Sequence, residues 1–298
     1  MRFLLIIAIP VIVAWCSEVH ANDVEPRLFS NVPTGLNFFS IGYGHSSGEV
    51  TFDTSVPLAD VEGEVDSMVL SYSRGLNIAG KSALLTFAIP YADVDLEGLY
   101  LGEQVSGRRP GFGDPRIRLS VNFYGAPATT RKEYAAYQQK TIVGGSISVG
   151  MPFGRYVEDK VLNVGSNRWN VVGQLGVSRQ INRWIIESAI GVTWNSHNDE
   201  LLETRKLEQD PIGLFRATLI YNFSPGLWVG AGVIYADGGD TTLDGVKRDD
   251  RQKNWRAGVA VSIPLAPGRT VSLRVTEGIT SRIGADFRTY SAAYTYAF

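Results

Sequence analysis

The chain has 298 residues and a formal net charge of −2 at pH 7, and it contains no basic block, so nucleic acid is not expected as a partner. Its single cysteine, Cys16, excludes a disulfide framework and a thiolate metal site within the chain. After the first residues, no apolar run approaches the roughly 18 residues of a membrane-spanning helix.

Residues 1–21 are expected to be a secretory signal peptide that is removed on export. A positive residue precedes an almost unbroken apolar run over residues 3–15, which matches the core of such a peptide and is too short to span a membrane. Residues 19–21 (VHA) resemble a cleavage site. Lipidation of Cys16 is an alternative, although the bulky tryptophan before it occupies a position where a small residue is preferred.

From residue 37 onward, apolar and polar residues alternate in short segments. A period of two is that of a β-strand, and most segments are close to the 9–11 residues with which a tilted strand crosses a bilayer. The twelve segments are 37–50, 64–74, 81–91, 114–124, 140–152, 168–178, 184–195, 212–223, 227–236, 253–263, 270–280 and 287–298. They predict an all-β fold, a transmembrane antiparallel up-and-down β-barrel of about 12 strands over residues 37–298. Residues 22–36 are expected to form a periplasmic segment ahead of it.

The connections between these segments alternate in length. Outer-membrane barrels have short periplasmic turns and long outer loops, so the alternation places both termini in the periplasm. The short connections are 75–80, 180–183, 224–226 and 264–269, and the long ones are 52–63, 92–113, 197–210 and 237–251. Residues 126–139 depart from the pattern, because they should form a short turn but number about fourteen; their sequence predicts a brief helix below the barrel.

Large aromatic residues at outward-facing positions gather near both ends of the predicted strands. Such rings favour the two membrane interfaces, so two bands are expected of a barrel in a bilayer and not of a soluble β-sandwich. The outer band contains Tyr91, Trp169, Trp194, Tyr235 and Trp255, and the periplasmic band contains Trp184, Tyr296 and Phe298. Outer-membrane lipid is therefore an expected partner.

The last segment ends on an aromatic residue, and its large side chains share one face. Tyr290, Tyr294, Tyr296 and Phe298 alternate with small or polar residues. We expect this strand to close the barrel by pairing with the first strand near Phe39. Its carboxyl end is expected to be the part that the barrel-assembly machinery recognises.

Charged residues on the opposite strand faces are expected to point into the lumen, because a charge on the lipid face near the midplane costs about 2–4 kcal/mol. They are Arg116, Arg118, Glu187, Arg216, Arg256 and Arg274. A lumen rich in arginine favours small polar or anionic solutes. The alternative is a closed interior filled by arginine–glutamate pairs. Glu277 is an exception, since it falls on an outward position and requires a β-bulge or a place at the membrane interface.

Two groups of residues suggest chemistry. His45 and Ser47 share a strand face, with a spacing that resembles the His and Ser of outer-membrane phospholipase A and lipid A deacylases, but no third, orienting group is identifiable. The acids of residues 237–251 could attract a divalent cation, but basic residues lie among them, so a solvated loop of mixed charge is favoured. We expect no metal site, no cofactor and no catalytic residue.

Several stretches resemble one family in order and spacing. They are 88–91, 111–116 (GFGDPR), 125–127, 137–141 (YQQKT), 163–169 (NVGSNRW), 209–211 and 281–287 (SRIGADF). In these the chain is similar to the phenol-degradation meta-pathway outer-membrane proteins, often called transporters. The resemblance implies a β-barrel and a role in passing small compounds, including aromatic ones, and supplies no catalytic residues. A structural role is favoured for Gly165, Asn167, Arg168 and Trp169, where an outer loop re-enters the barrel.

The sequence therefore favours a channel or transporter in a Gram-negative outer membrane, through which small solutes diffuse without energy coupling. Aromatic and anionic compounds are the candidate solutes. Two alternatives stay open: a lipid hydrolase that uses His45 and Ser47 at the rim, and a closed barrel whose outer loops bind a partner. No plug is predicted ahead of the first strand.

Overall fold

The computed structural model describes residues 25–52, 58–160 and 162–298. The predicted signal peptide and Cys16 lie outside these ranges. The strands of the first half are β1 (Asn37–Thr51), β2 (Leu58–Ile78), β3 (Lys81–Tyr100), β4 (Glu103–Phe112), β5 (Arg116–Tyr124), β6 (Thr141–Gly150), β7 (Asn170–Ile181) and β8 (Trp184–Asn195), and a helix, α1 (Arg131–Tyr134), separates β5 from β6. They are followed by β9 (Asn198–Leu201), β10 (Arg205–Gln209), β11 (Ile212–Ser224), β12 (Leu227–Gly238), β13 (Thr241–Leu243), β14 (Val246–Lys247), β15 (Gln252–Ala266), β16 (Arg269–Thr280) and β17 (Gly284–Ala297).

Twelve of these strands close into a barrel in which neighbours pair antiparallel. Around the wall the order is β1, β2, β3, β5, β6, β7, β8, β11, β12, β15, β16 and β17, and β17 returns to β1. The predicted closure of the last strand on the first near Phe39 is confirmed, and Phe39 of β1 lies directly opposite Tyr296 of β17. The predicted fold is confirmed, and the predicted segments match the strands to within a few residues, except that β2 and β3 are longer.

The two ends of the barrel differ in the connections between their strands. The start of β1, the end of β17 and the turns after β2, β7, β11 and β15 lie at the short-turn end, whereas the connections after β6, β8 and β12 lie at the long-loop end. The helix predicted within 126–139 is confirmed as α1, and Thr130 caps it by accepting a hydrogen bond from Glu133 N at 3.3 Å. Within the described ranges, no helix is long and apolar enough to cross a bilayer.

The loop predicted at 92–113 is wrong, because these residues continue β3 and then return as β4. The turn between the two strands uses Leu101 and Gly102, both with positive φ. Outward positions here carry acids such as Asp93, whereas Val94 beside it points inward and is 1% exposed. An acidic outer face lacks the apolar pattern of a lipid-facing strand, which is why the sequence pattern indicated a loop.

Residues 197–210 and 237–251, predicted as polar links, also contain short strands. β9, β10, β13 and β14 form a separate four-stranded sheet at the long-loop end. Leu201, Leu207 and Leu243 are buried together as its core. These strands are two to five residues long, which is too short for a period of two to be recognised.

The predicted aromatic residues lie on the outer surface of the wall. Tyr91, Trp169, Trp184, Trp194, Trp255, Tyr296 and Phe298 are exposed, and Tyr235 is half-buried. Tyr235 packs on Trp255 with ring centroids 4.7 Å apart, and Tyr296 stacks on Phe298 at 5.4 Å. This placement agrees with rings that meet lipid at both ends of the barrel.

Glu277 points outward, as its place in the alternation predicts. The register between β15 and β16 shifts between Trp255 and Arg256, on the long-loop side of Glu277, so this bulge does not turn Glu277 inward. The Glu277 carboxylate forms an ion pair with the guanidinium of Arg288 on β17. Glu277 is therefore not an isolated charge on the outer surface.

Candidate functional site

The residues ahead of β1 are fixed at the short-turn end and turn from there into the barrel. Gly35 N donates a hydrogen bond to Gly75 O at 2.8 Å. Ser82 Oγ accepts a hydrogen bond from Val32 N and donates one to Val32 O, both at 3.0 Å. Residues 25–36 are called the N-terminal segment below.

Phe29 anchors the N-terminal segment inside the lumen, where it is 2% exposed. It packs against three inward-facing residues: Ala126, Ile142 and Ala189. Two wall glycines leave room for the ring, since a Cβ on Gly144 or Gly176 would lie 2.7 or 2.4 Å from its atoms. The wall is therefore shaped to receive this one side chain.

Glu25 places a carboxylate among the predicted lumen arginines. Arg118 of β5 donates from Nη1 to Oε2 at 2.9 Å and from Nη2 to Oε1 at 3.3 Å, which is a bidentate pair. Arg216 of β11 donates from Nη1 to Oε2 at 3.4 Å. Burial alone would raise the pKa of Glu25, but the guanidinium groups of Arg118, Arg216 and Arg274 lower it to about 2. The carboxylate is therefore ionised at neutral pH.

Arg27 ties the same segment to β8, β11 and β12 of the wall. Its backbone N donates to Glu187 Oε2 at 2.7 Å, and Glu187 also accepts a hydrogen bond from Ser178 Oγ at 2.8 Å. The Arg27 guanidinium donates to Asn222 and lies over the Trp228 ring, 5.5 Å from its centroid. The lumen charges thus pair with an inserted segment and not simply with each other across the wall.

This geometry corrects two predictions, that residues 22–36 are periplasmic and that no plug precedes the first strand. The described residues from Glu25 to Phe29 lie in the lumen, because a positively charged interior favours a carboxylate and an apolar niche favours Phe29. The sequence did carry one signal. Gly144 and Gly176 fall on inward positions of long strands, where a missing side chain indicates close approach of another group.

The six charged residues predicted for the lumen do not form one cluster. Arg118, Arg216 and Arg274 surround Glu25, as described above, and Glu187 binds Arg27. Arg256 lies nearer the long-loop end, where its Nη2 donates to Phe287 O at 3.2 Å. Arg116 begins β5 at the same end.

A cavity of about 450 Å³ lies in the lumen beside the N-terminal segment. Pro26, Arg256 and Arg274 form part of its wall. Its apolar lining toward the long-loop end consists of Val65, Val94, Ile234, Ala236 and Phe287, which lie beside polar residues such as Ser46, Gln252 and Asn254. Toward the short-turn end, Ser40, Ser71, Ser272 and Ser291 lie among small and apolar residues. The volume falls within the range of about 300–1,000 Å³ that is usual for small-molecule sites.

The connection between β6 and β7 covers the lumen at the long-loop end. Leu162 and Val164 pack against the inward faces of Val65, Val94 and Phe287. Asp114 holds this connection by accepting hydrogen bonds from Ser166 N at 2.9 Å, Ser166 Oγ at 2.5 Å and Gly154 N at 2.9 Å. The stretch around residues 163–169 therefore has a part in closing the barrel.

The structure supplies an acid partner for His45 that the sequence did not reveal. Asp66, opposite His45 on β2, has its Oδ1 3.1 Å from His45 Nδ1 and also accepts a hydrogen bond from Tyr43 Oη at 2.6 Å. Within the part of the chain that the structure describes, no hydrogen bond joins His45 to Ser47. The contact that would activate a serine nucleophile is therefore missing from the group.

The acids of residues 237–251 are paired with neighbouring donors. Asp237 accepts a hydrogen bond from Arg251 at 2.9 Å, and Asp250 accepts from Thr241 N at 2.7 Å. Asp244 pairs with Arg205 of β10 at 2.7 Å. Over the described ranges, no group of three or more His, Cys, Asp or Glu residues is arranged to hold a metal ion.

Known proteins resemble this chain both in sequence pattern and in fold. The family described as "Putative MetA-pathway of phenol degradation" matches residues 45–291. The COG4313 outer membrane channel from Pseudomonas putida F1 superposes with a TM-score of 0.80 at 19% identity, over 93% of this chain and 100% of that one. The transport unit of the autotransporter AIDA-I from Escherichia coli superposes with a TM-score of 0.54 at 10% identity, over 96% of each chain. At these identities the likeness concerns the fold. No curated protein sequence matches the chain.

Proposed function

The chain belongs to the family described as "Putative MetA-pathway of phenol degradation", and we propose that it is an outer-membrane channel through which small solutes diffuse. The family match confirms the resemblance that the sequence motifs predicted. The observation that carries the proposal is the cavity of about 450 Å³ inside a closed barrel, in contact with Arg256 and Arg274. A barrel that served only as a scaffold would have no need of such a space beside its charged groups.

The lumen groups set the kind of solute that this channel admits. The arginine side chains at the cavity wall, Arg256 and Arg274, attract anions and repel cations there. The apolar lining toward the long-loop end, including Val94 and Phe287, accepts a solute with an apolar body. Passage down a gradient needs no cofactor and no energy coupling.

The proposal includes an orientation and a set of partners. The short-turn end faces the periplasm, the signal peptide over residues 1–21 directs export, and the exposed aromatic residues contact outer-membrane lipid. The barrel-assembly machinery recognises the last strand, β17. We assign the protein no catalytic role.

The N-terminal segment controls whether the lumen conducts. Glu25 is bound to Arg118 and Arg216, so the segment occupies space that a solute would need. Conduction through the full lumen therefore requires that the segment shift. The substitution Glu25→Gln removes the charge that holds it.

Ion conductance in planar bilayers and solute-dependent swelling of proteoliposomes test the function. We expect the unmodified protein to conduct weakly and Glu25→Gln to conduct more. Glu103→Gln is a matched control, because Glu103 is exposed at the start of β4, away from the cavity. If neither the unmodified protein nor Glu25→Gln conducts ions or admits solutes, the protein is not a channel. Conduction that persists after residues 237–251 are trimmed would separate a pore from a barrel that acts only through its outer loops.

A further inference from the structure

The lumen already contains a bound carboxylate, which is the side chain of Glu25. Arg118 holds both of its oxygens, and Arg216 donates to one of them. A guanidinium fork of this kind fits a carboxylate of any origin, since it contacts only the two oxygens. The site therefore recognises a carboxylate group and not glutamate as such.

The cavity lies beside this site, so a solute carboxylate in the cavity would be close to it. Its wall includes Pro26, the residue after Glu25, and Arg274, whose positive charge also acts on Glu25. Arg256 also lines the cavity, nearer to the long-loop end than Arg274. The cavity beside the Glu25 site thus has two arginines in its wall.

The rest of the cavity lining determines which solute bodies, attached to the carboxylate, are favoured. The lining near the long-loop end includes the apolar side chains of Val94, Ile234 and Phe287, beside polar ones such as Asn254 and Ser281. An ion without an apolar body, such as acetate, gains nothing from these contacts. A neutral apolar molecule gains nothing from the arginines. The combination favours a molecule that has both parts.

We propose that the lumen binds monocarboxylates with a compact apolar body, and that their carboxylate displaces Glu25 from Arg118 and Arg216. This rests on the proposed channel function and names its substrate class. Displacement frees the charged end of the N-terminal segment, which Phe29 and Arg27 still hold to the wall. Solute binding then releases one of the contacts that hold the segment in the lumen, and Glu25 acts as an internal competitor for the site.

Benzoate binding to the purified protein in lipid nanodiscs, measured by calorimetry, tests the proposal. Benzyl alcohol has a similar body without the charge, and acetate has the charge without the body. We expect benzoate to bind at least about tenfold more tightly than either, because only benzoate uses both kinds of contact. Glu25→Gln should tighten benzoate binding about fivefold by removing the competitor, since apparent affinity scales with the fraction of protein in the competent state.

Two controls keep the result specific. Arg118→Gln should weaken benzoate binding, and Glu103→Gln should leave it unchanged. Equal binding of benzoate and benzyl alcohol, or the same benzoate affinity in Glu25→Gln and the unmodified protein, would overturn the proposal. Because Glu25 lies outside the wall strands, its substitution tests the idea even if Arg118→Gln does not fold.

Conductance recorded on the same variants separates this proposal from the channel function. Ion conduction without preferential benzoate binding would overturn the carboxylate site and leave the channel standing. Preferential benzoate binding without any conduction would support the site and count against the channel.

Discussion

The carboxylate of Glu25 and the guanidinium of Arg118 face each other through two hydrogen bonds, of 2.9 and 3.3 Å. The two residues are 93 positions apart, and one of them belongs to no wall strand. An ion pair in the interior of the barrel therefore depends on where a short leading segment lies. The position of the N-terminal segment therefore decides whether the charges of the lumen are paired.

Glu25→Gln and Arg118→Gln should each shift the lumen toward the conducting state, and by the same interaction. Loss of a charge-assisted pair that contributes about 1 kcal/mol changes a two-state equilibrium about fivefold. Open probability in single-channel recordings measures the shift. The open probability of the double variant should be close to that of either single variant, because the two residues share one interaction. Fully additive effects would show that the pair does not hold the segment.

Phe29→Ala should loosen the N-terminal segment without changing any lumen charge. Truncation of a buried phenylalanine costs about 3–5 kcal/mol, and here the loss falls on contacts with Ile142 and Ala189. A cysteine introduced as Pro26→Cys, at the cavity wall, reports the change through its rate of labelling by a membrane-impermeant maleimide. Labelling should become at least about tenfold faster than in the Phe29-containing parent.

The control for that experiment is Leu265→Ala, which truncates an apolar residue exposed near the end of β15. It should leave the labelling rate of the introduced cysteine unchanged. Cys16 lies before the predicted cleavage site, so the exported chain has no other thiol. Equal labelling of the Phe29→Ala variant and its parent would show that Phe29 does not fix the segment.

The effect of Glu25 on conductance should not depend on pH between 7 and 5. The pKa of this carboxyl is lowered from 4.5 to about 2, so its pairs with Arg118 and Arg216 stabilise the inserted segment fully at a pH above about 4.5. That stabilisation decreases as the pH falls below about 4.5 and is lost as it passes through about 2. The difference in conductance between the unmodified protein and Glu25→Gln isolates this group from other acids. A difference that disappears between pH 6 and 4 would contradict the assignment.

The barrel could be predicted from sequence because outward residues of each strand meet lipid and inward residues meet the lumen, so that apolar and polar residues alternate. The closure of the barrel by the last strand near Phe39 could be predicted, and the structure adds the register, in which Phe39 lies opposite Tyr296. Where the outer surface of a strand meets water, outward and inward residues no longer differ in polarity. The pattern around Asp93 therefore predicts a loop, although β3 continues there. The strands were predicted correctly where one face meets lipid, because side chains there alternate with a period of two. The prediction failed where both faces meet water or protein.

The lumen site was predicted only in part, for a different physical reason. Parity alone placed Arg118, Arg216 and Arg274 inward, but their partner Glu25 lies in a segment with no period and no strand neighbour. The acid that contacts His45 was missed in a similar way. Asp66 is opposite His45 only in the register of β1 and β2, which local sequence does not specify.

We expect the unmodified protein to hydrolyse phospholipid only at the background rate, and Ser47→Ala should not change that rate. His45 has an acid partner in Asp66, but Ser47 lacks the hydrogen bond that would make it a nucleophile in the described structure. Release of fatty acid from phospholipid vesicles measures the activity. Hydrolysis that requires both His45 and Ser47 would instead assign a catalytic function to this rim.

Deletion of Phe298 should impair assembly of the barrel and leave export intact. Phe298 N donates to Asn37 O and Asn37 N donates to Phe298 O, both at 3.0 Å, so the last residue completes the seam between β17 and β1. Its ring also stacks on Tyr296 at the short-turn end. Without it, the closing strand loses both a backbone pair and the aromatic end that we expect the assembly machinery to recognise.

Heat-modifiable mobility on gels measures the folded fraction in the outer membrane, and total processed protein measures export. We expect the deletion to lower the folded fraction several-fold at unchanged processing. Phe298→Tyr is the matched control, because it keeps the ring and both backbone hydrogen bonds, and it should assemble normally. If the deletion variant assembles as well as Phe298→Tyr, the strand pairs with β1 strongly enough without its last residue, and recognition must lie elsewhere in the chain.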